Sequence, residues 1–280
     1  MSAKWNRPQT WLLLALFILF AALSVFPFYS LLLASFKPSK ELLRFGLNIS
    51  LQPELLSFHN YSFIFSSGAE KYLIWYKNSL VITVVYTLFC MLFSSMVGYG
   101  LAMYRFKGRN IIFLFVLLVM MVPVEIIMLP LYKQMIAMNL INTFSGVILP
   151  FVVSPLPIFF FRQYAAGLPK DFMDAGRIDG CSEYGIFFKI FVPLMTPAFG
   201  AMIIVQALAS WNSFVWPLIV LNSGEKLTLP IGLSSLVTPY GNNYDILIAG
   251  SVLAIVPIMI VFIFFQRYFV SGLTVGGVKG

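Results

Sequence analysis

The chain contains a long apolar run without a single charged residue, Trp11–Phe36, and this run limits the fold more than any other feature. Its length exceeds the roughly 20 residues that a helix needs to cross the hydrocarbon core of a bilayer. A secretory signal peptide has a shorter apolar region that is followed by a small-residue cleavage site, and Trp11–Phe36 fits neither feature. We therefore predict a first transmembrane helix, with a kink at Pro27.

Further apolar runs and the composition extend this prediction to the whole chain. Hydrophobic residues make up 60% of the sequence and charged residues only 10%. In soluble domains, charged residues approach about a quarter of the chain. We predict an all-α integral membrane protein with about six transmembrane helices in contact with membrane lipid. The later spans are predicted at Asn78–Tyr104, Ile111–Tyr132, Phe144–Phe161, Pro197–Leu221 and Ile246–Phe265.

Basic residues indicate the orientation of these spans. Arg105, Lys107 and Arg109 lie in one short loop, and loops of this kind stay on the cytoplasmic side. Counting spans from this loop places both termini and the charged stretch after Arg162 in the cytoplasm, and Lys37–Lys77 outside the cell. The formal net charge of +8 does not indicate a nucleic-acid partner, because the basic residues are scattered between apolar runs and form no stripe.

Residues that hold metals or nucleotides are sparse in the sequence. Cys90 lies in an apolar run and Cys181 in a charged stretch, so they indicate neither a disulfide framework nor a metal site. His59 has no zinc-ligand spacing around it. The stretch Gly272–Lys279 resembles a phosphate-binding loop, but its lysine is displaced by one position and no helix follows it. We predict no catalytic residue, metal site or cofactor in this chain.

The longest charged stretch between apolar runs, Leu168–Pro193, is predicted to meet a partner protein. Two short helices are expected in it, Lys170–Ile178 and Ser182–Phe191, with a hinge at Asp179-Gly180. Glycine suits this hinge because it adopts a positive φ without steric cost. The serine that opens the second helix is a typical N-cap residue.

Small and acidic residues are concentrated on the first of these two helices. Ala175 and Gly176 present small side chains, and Asp171, Asp174 and Asp179 add carboxylates. A flat surface of this kind allows the backbone of another protein to approach closely. We therefore expect an exposed docking surface here.

The spacing in this stretch resembles the EAA loop of ABC-importer permeases, which reads Glu-Ala-Ala, three residues, Gly, nine residues, Ile, one residue, Leu-Pro. Asp174-Ala175-Gly176 stands in the first three positions, and Gly180, Ile190 and Val192-Pro193 follow at matching intervals. Asp174, Gly176 and Val192 differ from the Glu, Ala and Leu of the pattern. Because the side chain of Asp174 is shorter than that of Glu, the resemblance does not specify which group it contacts. The resemblance implies docking of an ATPase subunit on Asp174, Ala175, Gly176, Asp179, Gly180, Ile190 and Pro193.

Other segments are similar to the permease subunits of carbohydrate importers, almost continuously from about Lys77 to Gly280. These segments are Met121–Glu125, Leu129–Tyr132, Phe161–Gln163, Trp211–Leu218 and Gln266–Thr274. More closely, Leu32–Ser39, Tyr240–Asp245 and Ser271–Gly280 resemble the permease subunits of bacterial arabino-oligosaccharide importers. The resemblance implies a type I ABC importer permease fold with its core at 77–270, after an N-terminal helix and extracytoplasmic segment at 1–76 and before a cytoplasmic tail at 271–280.

This resemblance also implies partners and a location. The chain would work in the bacterial inner cell membrane with a second homologous permease, two ATPase subunits and an extracellular sugar-binding protein. ATP and Mg²⁺ would bind to the ATPase subunits, so this chain would be a transport subunit and not an enzyme. The alternatives are a permease for another oligosaccharide or for a glycerol phosphate ester, and an ion-coupled carrier. A carrier would usually show ionisable pairs or an inverted repeat within its spans.

Polar and aromatic residues within the predicted spans are candidates for a substrate pathway. Glu125 is an acid inside an apolar span, where a charge is costly enough to indicate function. We expect it either to accept hydrogen bonds from a sugar or to bond structurally to a neighbouring helix. Trp211, Asn212 and Trp216 on the predicted fifth span suit sugar rings, although helical spacing favours a packing role for them.

The predicted second span carries a face of small residues. Such faces allow two helices to approach closely within a membrane. We expect this face to contact another helix, most simply another helix of the permease pair. It comprises Ser94, Ser95, Gly98 and Gly100.

Overall fold

The computed structural model describes residues 8–38, 50–66, 70–237 and 244–274, and the elements within these ranges are all helical, which confirms the all-α prediction. In chain order the helices are α1 (Pro8–Ser35), α2 (His59–Ile64), α3 (Glu70–Met103), α4 (Arg109–Met120), α5 (Val124–Ala137), α6 (Phe144–Ile148), α7 (Pro155–Ala166), α8 (Asp171–Ile178), α9 (Glu183–Ile186), α10 (Val192–Leu194), α11 (Thr196–Trp211), α12 (Val215–Val220), α13 (Leu229–Ser235) and α14 (Tyr244–Thr274). Short 3₁₀ turns lie at Pro53–Leu55 and Leu149–Phe151. A π turn at Phe187–Phe191 joins α9 to α10.

Several groups of residues in the sequence analysis lie outside the described ranges. They are the basic residues Lys4 and Arg7, the segment 39–49 with Lys40, Glu41 and Arg44, the motif residues 240–243, and the tail from Val275 with Lys279. Of the stretch Gly272–Lys279, the structure describes only the backbone up to Thr274, where α14 ends.

Three helices are long and apolar enough to cross a membrane without a break. They lie at Thr10–Ser35, Lys71–Met103 and Tyr244–Tyr268, within α1, α3 and α14. A continuous helix pairs its own backbone N–H and C=O groups, which a bilayer requires because it offers no water as a partner. The predicted positions of the first, second and sixth spans are therefore confirmed.

The remaining candidate spans are pairs of helices that meet at a sharp bend. The axes of α4 and α5 form an angle of 103°, Phe144–Phe151 and α7 form 42°, and Glu183–Leu194 and α11 form 79°. Counting each bent pair as one span gives six spans in the described part of the chain, in agreement with the predicted number. The predicted spans Ile111–Tyr132 and Phe144–Phe161 thus correspond to bent pairs of helices.

Proline accounts for the breaks. Pro123 precedes α5 with an extended backbone, at φ −60° and ψ 132°. Proline cannot bond to the carbonyl four residues earlier, and its ring clashes with that carbonyl. The predicted continuous fifth span, Pro197–Leu221, is wrong for the same reason: α11 ends at Trp211 and α12 starts only at Val215. An unbroken α-helix through this region would need a backbone N–H at position 217 to bond to the carbonyl four residues earlier, and Pro217 has none.

The chain groups into two compact units. One unit comprises the residues up to Leu73 together with Leu233–Ala254. The other comprises Ile74–Gly232 together with the residues from Ile255 onward. The hairpin and the cavity described below belong to the second unit.

In the first unit, α2 folds onto the end of α1. The amide of Asn60 donates hydrogen bonds to the carbonyl oxygens of Ser35, at 2.9 Å, and Lys37, at 3.0 Å. The ammonium group of Lys37 is buried and donates to the carbonyl oxygen of Ser50 at 2.7 Å. The predicted partly helical segment after the first span is therefore a folded element that is fixed to the end of that span.

In the second unit, α3 and α7 pack at very short range. A Cβ atom added to Gly98 would lie 2.7 Å from Cβ of Phe161 and 2.9 Å from the backbone nitrogen of Arg162. The hydroxyl of Ser94 accepts a hydrogen bond from the backbone N–H of Ser154 at 3.2 Å. The expected close contact with another helix is therefore confirmed at Gly98, where that helix belongs to the same chain.

We expect Gly98→Ala to lower the free energy of unfolding by about 1–3 kcal/mol, because the added methyl group overpacks the contact with α7. The backbone nitrogen of Arg162 cannot move aside as a flexible side chain would. Gly100→Ala is the matched control in the same helix, since an added Cβ there meets no atom within 4 Å. We expect this control to be neutral or stabilising by about 0.5–1 kcal/mol. Thermal unfolding in detergent measures both variants, and equal effects would contradict the prediction.

Candidate functional site

The predicted hinge at Gly180 is a helix C-terminus closed by a glycine in the left-handed region. Gly180 has φ +78°, as expected. Its N–H donates to the carbonyl of Arg177 at 3.1 Å, and the N–H of Cys181 donates to the carbonyl of Gly176 at 2.9 Å. These two bonds form a Schellman motif, which satisfies the last carbonyl groups of α8. The chain therefore turns sharply and in one defined geometry at the end of α8.

The second arm of the hairpin starts at the predicted N-cap. The hydroxyl of Ser182 accepts a hydrogen bond from the backbone N–H of Gly185 at 3.1 Å. The helix then widens into the π turn at Phe187–Phe191, where the N–H of Val192 bonds to the carbonyl of Phe187. Pro193 follows directly and has no N–H for an α-helical bond, and breaks of this kind are commonly accommodated by π turns. Val192-Pro193 therefore lies where the hairpin leaves regular helix.

Gly176 holds the two arms of the hairpin together. An added Cβ would lie 2.8 Å from Cδ1 of Ile190 and 3.0 Å from Cγ1 of Ile186. Gly176 is buried, so the expectation that it forms part of an exposed flat surface is wrong. The reason is helical geometry: Gly176 follows the buried Met173 by three residues and faces inward with it. Gly176, at the third position of the motif, and Ile190, at its isoleucine position, thus contact each other within the chain.

The outer surface of the hairpin combines carboxylates with exposed apolar side chains. Ile178 is 86% exposed and Tyr184 is 70% exposed, so this surface presents apolar side chains as well as carboxylates. The exposed members of the predicted docking set are Asp174, Ala175, Asp179, Gly180 and Pro193, whereas Ile190 is half-buried. Asp171 is also exposed. The identity of the protein that covers this surface stays a prediction.

An ion-paired cluster, which the sequence analysis missed, stabilises the open side of the turn. Arg177 lies 3.6 Å from a carboxylate oxygen of Asp174, and its Nε donates to Oε1 of Glu183 at 2.8 Å. The hydroxyl of Tyr104 donates a hydrogen bond to the other oxygen of Glu183. The bond from Arg177, followed by that from Tyr104, lowers the pKa of Glu183 below its usual value. The sequence signal for this cluster was the opposite charge of Arg177 and Glu183, which lie on either side of Gly180.

Tyr104 also connects the hairpin to the end of α3. Burial, followed by the hydrogen bond to Glu183, raises the pKa of Tyr104 above its usual value, so its hydroxyl stays protonated and donates. On α3, the ring of Tyr99 lies 4.7 Å from that of Phe191 and 5.7 Å from that of Tyr104. Phe187 and Phe191 are almost fully buried. The hairpin is therefore packed firmly against the long helix rather than hanging as a free loop.

A cavity of about 360 Å³ brings together two of the four predicted pathway residues, Glu125 and Trp216. Glu125 lies in the first turn of α5, directly after the break at Pro123, and is exposed. Trp216 is buried, and its indole N–H donates to the carbonyl of Gly146 at 3.2 Å. Its ring also meets that of Phe151 edge to face at 5.8 Å. These contacts favour the packing role for Trp216.

The other two predicted residues, Trp211 and Asn212, do not line this cavity. Trp211 is buried and meets the ring of Tyr76 at 5.6 Å, edge to face. Asn212 is exposed at the C-cap of α11. The expectation that Asn212 and Trp216 share a helix face is wrong, because the chain breaks between them.

Several polar residues on the cavity wall were missed by the sequence analysis. The hydroxyl of Tyr86 lines the cavity and donates to the buried amide oxygen of Gln206 at 2.9 Å. A polar amide within an apolar run, as at Gln206, was the available signal. Other polar side chains on the wall are those of Ser79, Ser210, Ser213 and Thr228. Within the described ranges, no three His, Cys, Asp or Glu side chains come together as a metal site would require.

Several known proteins are similar to this chain over most of its length. Residues 91–275 match the family described as binding-protein-dependent transport system inner membrane component. The chain is 61% identical, over 94% of each protein, to the arabinooligosaccharides transport system permease protein AraQ of Bacillus subtilis (strain 168). It is 58% identical over the full length of both chains to the protein of the same name from Halalkalibacterium halodurans.

More distant proteins extend the similarity. The lactose transport system permease protein LacG of Rhizobium radiobacter is 35% identical over 92% of each chain. A solved structure of a bacterial ABC transporter involved in the import of the acidic polysaccharide alginate matches with a TM-score of 0.82 at 22% identity, over 96% of this chain and 99% of that chain. This last match shows the fold, a type I ABC permease. From the matching residues, the identity and the coverage, the chain belongs to the family of inner membrane components of binding-protein-dependent transport systems.

Proposed function

We propose that this chain is the membrane-spanning permease subunit of an ATP-driven importer for arabino-oligosaccharides that an extracellular binding protein delivers. The observation that carries the proposal is the 58% identity over the full length of both chains to a permease named for this substrate. The complex would contain a second, homologous permease and two ATPase subunits, which bind ATP and Mg²⁺. This chain contributes the pathway and the coupling surface, and the ATPase subunits contribute hydrolysis.

The hairpin from α8 to Pro193 is the proposed coupling surface. The exposed side chains of Ile178 and Tyr184, with the carboxylates of Asp174 and Asp179, offer an apolar and acidic surface to an ATPase subunit. A surface transmits force only if it does not deform, and the Schellman turn and the Gly176 contact fix the angle between its two arms. Displacement of the hairpin would then move α3 and α11 together.

The cavity beside α5 is the proposed part of the sugar pathway in this chain. Carboxylate, hydroxyl and aromatic groups around one hollow suit a ligand that is rich in hydroxyl groups. The negative charge of Glu125 also favours a neutral sugar over a glycerol phosphate ester, because it would repel a phosphate group. An ion-coupled carrier is less well supported, because no acid–base pair is described among the side chains that line the cavity.

The coupling role of the turn predicts that Gly180→Val abolishes ATP-driven uptake of arabino-oligosaccharides in vesicles while the protein still inserts into the membrane. A β-branched residue at φ +78° is strained by about 1–2 kcal/mol, so the turn opens. Gly180→Asn should retain most of the uptake, because asparagine tolerates the left-handed region.

Gly167→Ala is the matched control for this experiment. Gly167 lies just before the hairpin with an ordinary φ of −82°, and we expect wild-type uptake. Normal uptake by Gly180→Val would show that the shape of the turn is unimportant for coupling. Loss of uptake in all three variants would point to a general defect of assembly.

The pathway role predicts that Glu125→Leu raises the half-saturating sugar concentration by roughly tenfold, because a hydrogen bond to a charged group contributes about 1.5–3 kcal/mol. Glu125→Gln keeps an acceptor and should have a smaller effect. Glu54→Gln, at an exposed acid outside the cavity, is the control. The measurement is uptake against sugar concentration, with ATP hydrolysis recorded in parallel. A Glu125→Leu variant with unchanged uptake would assign Glu125 a structural role.

A further inference from the structure

The loop that joins α3 to α4 on the cytoplasmic side, and the helices beside it, carry basic side chains without acidic partners. Arg105 and Lys107 lie in the loop, Arg109 opens α4, and Arg162 lies on the adjoining α7. The ion pairs in the described part of the chain both involve Arg177, and none involves these four residues. Arg109 makes one described hydrogen bond, to the carbonyl of Tyr104 at 3.2 Å. The cluster therefore has excess positive charge.

Arg162 is the most constrained of these cations. Its guanidinium carbon lies 3.6 Å from the centroid of the Phe113 ring, and its buried Nε has no hydrogen-bond partner among the described residues. A buried donor without a partner is costly, and an anion nearby would lower that cost.

A hollow of about 390 Å³ lies beside this cluster. It is lined by Arg105, Phe106, Gly108, Arg109, Asn110 and Ile111. The first turn of α4 has no side-chain cap, and no hydrogen bond is described for the backbone N–H groups of Asn110 and Ile111. Free N–H groups at a helix start add positive potential to that of the arginines.

We propose that this basic cluster binds the phosphate headgroup of an anionic phospholipid from the cytoplasmic leaflet. The phosphate occupies the hollow between Arg105 and Arg109. A lipid is preferred over free phosphate because α4 continues from the hollow as an exposed apolar surface: Ile111 is 61% exposed and Phe115 61%. Basic pockets beside transmembrane helices on the cytoplasmic side suit anionic headgroups.

The position of this site connects it to the hairpin. Tyr104, which precedes Arg105, donates to Glu183 in the second arm. The proposed lipid site and the hairpin therefore lie at the same end of the second unit. Tyr104, which bonds to the hairpin, directly precedes Arg105, which lines the hollow. This inference does not depend on the sugar or on the ATPase subunits.

The experiment uses the full-length chain with its co-purifying subunits in nanodiscs that contain equal amounts of phosphatidylglycerol and phosphatidylcholine. Native mass spectrometry then measures the ratio of the two lipids that stay bound to the protein. We expect this ratio to favour phosphatidylglycerol, and Arg105→Gln/Arg109→Gln to lower it by about fivefold for each cation removed.

The matched control is Lys71→Gln/Lys133→Gln, which removes the same charge at exposed sites elsewhere and should leave the ratio unchanged. Equal losses in the two double variants would mean that only net charge matters and would overturn the proposal. A separate arm adds inorganic phosphate to nanodiscs of phosphatidylcholine alone. A rise in the unfolding temperature that needs Arg105 and Arg109 would show a site for free phosphate and would also overturn it. If the double variant fails to assemble, Arg105→Gln and Arg105→Lys provide the comparison, with the ratio lowered only in Arg105→Gln.

Discussion

A backbone polar group without a partner is costly in a bilayer, and the rest of this structure depends on how the chain meets that constraint. Where the helices break, hydrogen bonds from outside the helix are required. α3 supplies many of them: Ser94 accepts from the N–H of Ser154 at the break before α7, and Ser79 accepts from the N–H of Leu229 at the start of α13. The amide of Asn78 donates to the carbonyls of Glu225 and Leu227. One unbroken helix thus supplies hydrogen bonds that lower the free-energy cost of the breaks in its neighbours.

The hairpin is held together in a different way. Its ion pairs are exposed, and exposed pairs contribute at most about 1 kcal/mol. The contacts that fix its shape are the Schellman turn at Gly180, the approach of Gly176 to Ile186 and Ile190, and the buried rings of Phe187 and Phe191 on Tyr99. The charged cluster of Arg177, Glu183 and Tyr104 therefore contributes less to the stability of the hairpin than these contacts do.

Features that depend on neighbouring residues were predictable from the sequence. The left-handed Gly180 and the cap at Ser182 follow from backbone conformation and one short-range bond, and the apolar runs follow from bilayer thickness. Features that depend on distant contacts were not. The burial of Gly176 requires Ile190 to return across the turn, the contact of Gly98 requires α7, and the separation of Asn212 from Trp216 depends on how Pro217 ends one helix before the next. The hydrogen bond between Tyr86 and Gln206 also joins residues that are far apart in the sequence, so the sequence did not indicate that they meet.

The π turn at Phe187–Phe191 gives the hairpin a property that a regular helix lacks. Its bond from the N–H of Val192 to the carbonyl of Phe187 closes a ring that is one residue longer than an α-helical turn. One extra residue shifts the side chains that follow by about 100° around the helix axis. The turn therefore sets the angular position of the residues after Phe191 relative to those of the hairpin arm before it.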